Sequence, residues 1–269
     1  MKIGLCGSMV VKDLRKGGSE VAPVLAELGY DYIELSLAHL TELSRADFYS
    51  VKRMLAAAEI PCESCNNFFP PHLRLTGAET NFPAILLYAN KAMERVAELG
   101  ASIVVFGSGQ AKNVPDGFSK KLAWQQLVPL CQALDPVAGA NNITIVLEPL
   151  RKAECNIVNS IAEGLKLIND SNTNNIKMLV DYYHLDAENE SPDILLEAAS
   201  DIRHVHLANP ANRSFPKSWN ENLGYQLFFE NLKRINYNGR VSVEAFSDDF
   251  YKDAKASINF LSQIKQAWI

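Results

Sequence analysis

Cysteine is scarce in this chain and odd in number. Cys6, Cys62, Cys65, Cys131 and Cys155 are its five cysteines in 269 residues, too few for a disulfide framework, so a reducing, cytoplasmic setting is the expectation. Long hydrophobic runs are missing as well. No apolar stretch approaches the length of a membrane span. Met1-Lys2-Ile3-Gly4-Leu5 leads straight into a strand-like segment without the small-residue cleavage site of a secretory signal. Basic charge is not in excess: 26 Lys and Arg stand against 31 Asp and Glu, a net charge of -5. That balance argues against a phosphate-backbone partner and for a small-molecule one. A glycine-rich phosphate loop is absent too, since Gly4-Leu5-Cys6-Gly7-Ser8 is a poor match to the dinucleotide fingerprint that open, doubly wound sheets carry after their first strand.

What is present is an alternation. Short runs rich in Val, Ile and Leu alternate with segments of helical period from one end to the other. Eight strands are predicted, at Lys2 to Cys6, Tyr32 to Ser36, Cys62 to Asn66, Ser102 to Phe106, Thr144 to Glu148, Lys177 to Asp181, Ile202 to His206 and Arg240 to Glu244. Gly29 and Gly100 close two of the intervening helices, and Asn159-Ser160 caps the start of the fifth. Strands apolar on both faces belong to a buried parallel sheet. Eight of them in roughly 250 residues predict a closed barrel. The expected architecture is a single (β/α)8 TIM barrel over residues 1–269, of α/β class.

The last four strands end in residues of one chemical kind. Ile145-Val146-Leu147 runs into Glu148, Met178-Leu179-Val180 into Asp181, Arg203-His204-Val205 into His206, and Val241-Ser242-Val243 into Glu244. Alternation places Thr144, Val146 and Glu148 on one face of their strand and Ser242 with Glu244 on one face of theirs, which points the ligand set into the barrel. One acid at a strand end is most often a cap or a solvated loop residue. Four in register are not, because the C-terminal strand ends of a barrel converge on one mouth. Three converging carboxylates repel, and a divalent cation relieves that repulsion. Glu148, Asp181, His206 and Glu244 are therefore the candidate metal ligands. Their oxygen-rich set favours Mn²⁺, with Mg²⁺, Co²⁺ and catalytic Zn²⁺ as alternatives.

These residues and their neighbours resemble the xylose isomerase-like superfamily of TIM barrels, and within it the ketose 3-epimerases of the tagatose and psicose epimerase type. The resemblance spans the whole chain. It rests on Glu148-Pro149-Leu150-Arg151-Lys152-Ala153-Glu154, on Asp181-Tyr182-Tyr183-His184, on His206 followed by Asn212-Arg213, and on Glu244. It implies that Glu154, His184 and Arg213 bind substrate and that Glu148 and Glu244, already ligands, are also the catalytic acid and base. The implied reaction is epimerisation of a ketose or related keto-sugar next to its carbonyl, by proton transfer through a metal-stabilised enediolate. Glu148 and Glu244 would act from opposite faces of the sugar. Return of the proton to the neighbouring carbon would instead give aldose-ketose isomerisation. The resemblance further implies a homodimer or homotetramer. Two departures stand out: Arg213 lies one residue further from His206 than in the tagatose epimerase group, and Cys6-Gly7-Ser8 occupies the place where those enzymes set aromatics against the sugar.

Other features carry milder expectations. His204 reads as a buried, hydrogen-bonded histidine, and Cys62-Glu63-Ser64-Cys65 as two ordinary barrel cysteines. The aromatics of Asn66-Asn67-Phe68-Phe69-Pro70 either wall the pocket or pack a loop. Gly107-Ser108-Gly109-Gln110, after the fourth strand at the same mouth, reads as a bare turn sooner than as a backbone approach to a ligand, and Glu34, on the functional rim, as a partner of a ligand or a substrate contact. Two other catalytic readings share the fold. One is an inosose-type dehydratase. The other is an apurinic endonuclease-like nuclease, which needs more zinc-binding histidines than His39, His72, His184, His204 and His206 supply. A barrel that only binds sugar or protein would leave the Glu148 and Glu244 pair without a purpose.

Overall fold

Each of the eight apolar runs forms a strand, and the strands close on themselves. The computed structural model describes residues 1–267. Its strands are β1 (Lys2–Cys6), β2 (Tyr32–Ser36), β3 (Cys62–Asn66), β4 (Ile103–Phe106), β5 (Thr144–Leu147), β6 (Ile176–Asp181), β7 (Ile202–Leu207) and β8 (Arg240–Val243). They pair in sequence order, all parallel, and β8 returns to β1 through Lys2 opposite Arg240 and Leu5 opposite Val243. The expected bounds hold within a residue. Ser102 falls just before β4, and Glu148 and Glu244 fall just past β5 and β8, their amides still bonded to the Phe106 and Leu207 carbonyls of the neighbouring strands.

Both faces of the strands are buried, but unequally. The outward residues join one continuous core with the helices, whereas Ile103, Val105, Val146 and Leu179 form a separate small cluster inside the barrel. Apolar side chains thus plug the lower barrel, and polar groups gather towards the C-terminal end. Gly4 helps to fill the interior: a Cβ there would lie 2.3 Å from the Tyr32 ring, which occupies that space and reaches Ser242 Oγ with its hydroxyl at 2.7 Å.

The local signals perform as expected. Gly29 (φ 86°) and Gly100 (φ 79°) end helices Ala22–Leu28 and Phe82–Leu99 in the left-handed conformation that side chains disfavour. Ser160 Oγ accepts the Glu163 amide at 3.1 Å and starts helix Ile161–Ser171. Two irregularities were not legible: the register slips between Ile33 and Glu34 and between Met178 and Leu179. The first sets Glu34 opposite Ser64, and the second sets Asp181 opposite His206. Among the described residues no helix is long and apolar enough to cross a membrane.

Candidate metal centre

The closed sheet brings the four strand-end residues together. Glu148, Asp181, His206 and Glu244 each offer an atom within 4.8 Å of the others, and all four side chains are buried. His206 Nδ1 stands 3.2 Å from Glu148 Oε1 and 3.3 Å from Glu244 Oε2. Its Nε2 faces the other way, 2.8 Å from Glu34 Oε1. A histidine held through one ring nitrogen presents the other in a fixed direction, the arrangement seen in metal-binding imidazoles.

Glu34 is fully buried and is the hub beneath the centre. Its Oε2 lies 2.7 Å from His204 Nε2 and accepts from Ser64 Oγ at 2.6 Å and Ser242 Oγ at 2.7 Å. Burial alone would favour its neutral form, but His206 and His204 outweigh that and hold its carboxyl well below the usual range. His204 is the buried, bonded histidine expected of it, with its own pKa lowered by burial.

The protein's own charges at the centre are out of balance. Burial raises the pKa of Glu148 and pushes that of Asp181 up to about 6. Glu244 is buried too, but Arg213 and His206 hold it at about 2. Despite its burial, His206 is raised well above the ordinary histidine value by Glu34 and Glu244. Asp181 Oδ1 accepts the Tyr183 amide at 2.8 Å, whereas its buried Oδ2 takes no hydrogen bond from any described residue. A buried carboxylate oxygen with no hydrogen bond, only the longer approaches of His184 Nε2 at 3.4 Å and Arg213 at 3.8 Å, among two more carboxylates and an oriented imidazole, fits a divalent cation.

Above the centre opens a cleft of about 500 Å³, with Glu148, Glu154, His184, Arg213, Glu244 and Phe246 in its walls. His184 Nδ1 accepts the Arg151 amide at 3.3 Å, so Nε2 carries the proton, near Asp181 Oδ2 at 3.4 Å. Arg213 lies over the Tyr183 ring at 4.7 Å and pairs with Glu244, with Glu154 Oε1 3.6 Å away. Asn212 and Arg213 both adopt positive φ, and the Arg213 side chain lines the cleft. All seven candidate metal, catalytic and substrate positions thus share one site.

The sequence profile described as "Xylose isomerase-like TIM barrel" matches residues 23–264. The chain belongs to that family. An L-ribulose 3-epimerase from Methylomonas sp. (strain DH-1) is 26% identical over 251 residues, covering 90% of this chain and 82% of that protein. A D-psicose 3-epimerase from Agrobacterium fabrum (strain C58 / ATCC 33970) is 24% identical over 237 residues, 82% of this chain and 77% of the relative. A crystal structure of D-psicose 3-epimerase determined in the presence of D-fructose superposes with a TM-score of 0.83 at 20% identity, over 100% of this chain and 99% of that one. That likeness is one of fold.

Several contacts around the barrel mouth escaped sequence reasoning. Asn66 ends β3 and donates to Glu244 Oε1 at 3.4 Å. Gly107 lies beneath the Glu148 carboxylate. Lys112 is fully buried and reaches the Glu148 carbonyl at 3.4 Å, although burial lowers its pKa. Cys6 Sγ sits 3.9 Å from His206 Nε2. Asn66 was within reach of the same strand-end count that found the ligands; the others depend on contacts between loops. The open question over Phe68 and Phe69 resolves to packing: both are buried, stacked at 3.9 Å, with Phe106 edge-on to each. Gly107-Ser108-Gly109-Gln110 is more than a bare turn, for it opens the short helix Gly109–Lys112. Cys62 and Cys65 are free and buried, as ordinary barrel cysteines are.

Proposed function

We propose that this protein is a divalent-metal-dependent ketose epimerase that inverts the carbon next to the carbonyl of a small sugar, in the manner of a 3-epimerase. One observation carries the reading. Two buried carboxylates, Glu148 and Glu244, flank the imidazole of His206 with one oxygen each, and both border the cleft. Two such groups suffice for inversion: one takes the proton from carbon, and the other delivers a proton to the opposite face.

Glu148, Asp181, His206 and Glu244 would hold the ion, which we assign as Mn²⁺, with Mg²⁺ or Co²⁺ able to replace it. When bound, the ion supplies Lewis-acid stabilisation of the negative charge that develops on the substrate oxygens. The chain's own groups do the rest. His184 Nε2 and the Arg213 guanidinium donate to the carbonyl and hydroxyl oxygens, and Glu154 accepts from a hydroxyl at the outer wall. Arg213 is paired with Glu244 and lies 3.6 Å from Glu154, so a sugar hydroxyl accepting from it would compete with those carboxylates. The acidic cleft and the net charge of -5 support a sugar rather than a nucleic acid as partner. By analogy with the family, we infer that the barrel works as a homodimer or homotetramer.

The test is Mn²⁺-reconstituted protein in deuterated water with D-fructose, D-psicose or L-ribulose, followed by NMR. The expected result is the 3-epimer, deuterated at that carbon. Glu148→Gln and Glu244→Gln should each slow conversion by about 10²- to 10⁴-fold, the usual worth of a positioned acid or base. Full exchange in both variants, or loss of water from an inosose in place of any ketose exchange, would overturn the proposal.

A further inference from the structure

Glu148 and Glu244 each have two oxygens, and the protein treats the two differently. Glu148 Oε1 and Glu244 Oε2 lie beside His206 Nδ1, on the side of the candidate ligands. The remaining oxygens point at other neighbours. Glu148 Oε2 lies over Gly107, so closely that a Cβ built there would come within 2.2 Å of it. Glu244 Oε1 accepts from Asn66 Nδ2 at 3.4 Å, and Asn66 is 2% exposed. An ionised carboxylate only accepts, so the amide nitrogen must face it. Asn66 Oδ1 is then left without a donor among the described residues.

The geometry points to Asn66 and Gly107 as the positioning residues of the two carboxylates. Asn66 fixes the second oxygen of Glu244 with a hydrogen bond, and Gly107 leaves room for that of Glu148 by having no side chain. The kinetic consequence rests on the epimerase reading; the consequence for metal binding does not. If one oxygen of each glutamate faces the ion, the other is left to carry a proton to and from carbon, and such a group must be held to within about half an ångström. Gly107 has no positive φ, so what the position requires is space and not a left-handed backbone. The atom in the way is the far end of a flexible side chain. Alanine at 107 therefore displaces the Glu148 carboxylate and leaves the barrel standing. At 66 the effect is on direction: without the amide, Glu244 Oε1 loses its hydrogen bond and the carboxylate is held only through Oε2, by Arg213 and His206.

Three measurements test this on the full chain: melting of the ion-free protein, Mn²⁺ titration by electron paramagnetic resonance, and deuterium wash-in from each of two interconverting epimers. Gly107→Ala should melt close to the parent and bind Mn²⁺ at least about tenfold more weakly, because a ligand has lost its place. Asn66→Ala should bind Mn²⁺ within about threefold of the parent, with an altered spectrum, and convert sugar about tenfold or more slowly, the scale of one hydrogen bond to a charged group. Its loss should be uneven. Wash-in from the epimer deprotonated by Glu148 should persist, while that from the epimer deprotonated by Glu244 falls. Asn66→Asp, which sets a like charge against Glu244, should be slower still. Parental Mn²⁺ affinity in Gly107→Ala, or a parental spectrum with equal wash-in from both epimers in Asn66→Ala, would overturn the inference. A parent protein that binds Mn²⁺ but exchanges no ketose proton would instead sink the epimerase reading, with Gly107 and Asn66 still decided by affinity and spectrum.

Discussion

At the scale of single residues, Glu34 shows how much of a metal site lies beneath its ligands. It accepts from two serines and binds two histidines, and its hold on His206 Nε2 leaves Nδ1 facing the centre. Glu34→Gln preserves volume but sets an amide N–H among donors and removes the charge that orients the ring. Mn²⁺ affinity should fall by about 10- to 100-fold, the usual cost of losing such a support, as read by calorimetric titration. Unchanged affinity would show that His206 keeps its orientation without Glu34. The sequence placed Glu34 on the functional rim, since it stands near the end of its strand. It did not show that His204 and His206, far along the chain, share its two oxygens, because that convergence is a product of closure.

At the scale of elements, alternation and capping carried most of the information. The four candidate ligands stand at the ends of β5 to β8, where side chains alternate along each strand, and this regularity can be counted without coordinates. Helix Ile161–Ser171 is equally local in origin: Ser160 caps it, and Glu163 returns a carboxylate to the Asn159 amide at 2.6 Å. Ser160→Ala should cost about 1 kcal/mol, visible as a lower melting temperature with Mn²⁺ affinity unchanged. A loss of metal binding in that variant would mean that the helix start and the site are coupled. The register slips between β2 and β3 and between β6 and β7, which pass over Glu63 and Arg203, were not countable. A bulge inserts one residue without changing the apolar pattern on either side, so only the pairing partner reveals it.

At the scale of the whole molecule, the centre is a concentration of buried charge that folding alone leaves unbalanced. Asp181 titrates near 3.9 in an unfolded chain and at about 6 in the ion-free fold, chiefly because of burial. Between those values the folded state holds the extra proton, so this group makes the ion-free protein less stable as pH rises from about 4 to 6. Glu244 acts in the opposite sense: held at about 2, its contribution is present above the ordinary carboxylate range and is lost as pH falls towards 2. A cation at the centre removes the penalty on Asp181 and must displace the proton that His206 holds above its ordinary range. Mn²⁺ should therefore raise the melting temperature more at pH 7 than at pH 4.5, and its binding should release protons. Calorimetry in two buffers of different ionisation heat measures that release. An Mn²⁺ stabilisation independent of pH would contradict this account.

The sequence by itself determined the barrel, the four candidate ligands at the strand ends and the loop segments that carry Glu154, His184 and Arg213. The barrel and its strand ends follow from local periodicity and from a closure that eight parallel strands impose, whereas the loop segments were legible only through the family resemblance. Only the tertiary structure decided which nitrogen of His206 faces the centre, that Arg213 rests on Glu244, and that Asn66 and Gly107 seat the two glutamates. Each of these is a contact between strands or loops remote in sequence, set by distances of a few ångströms that no pattern along the chain encodes.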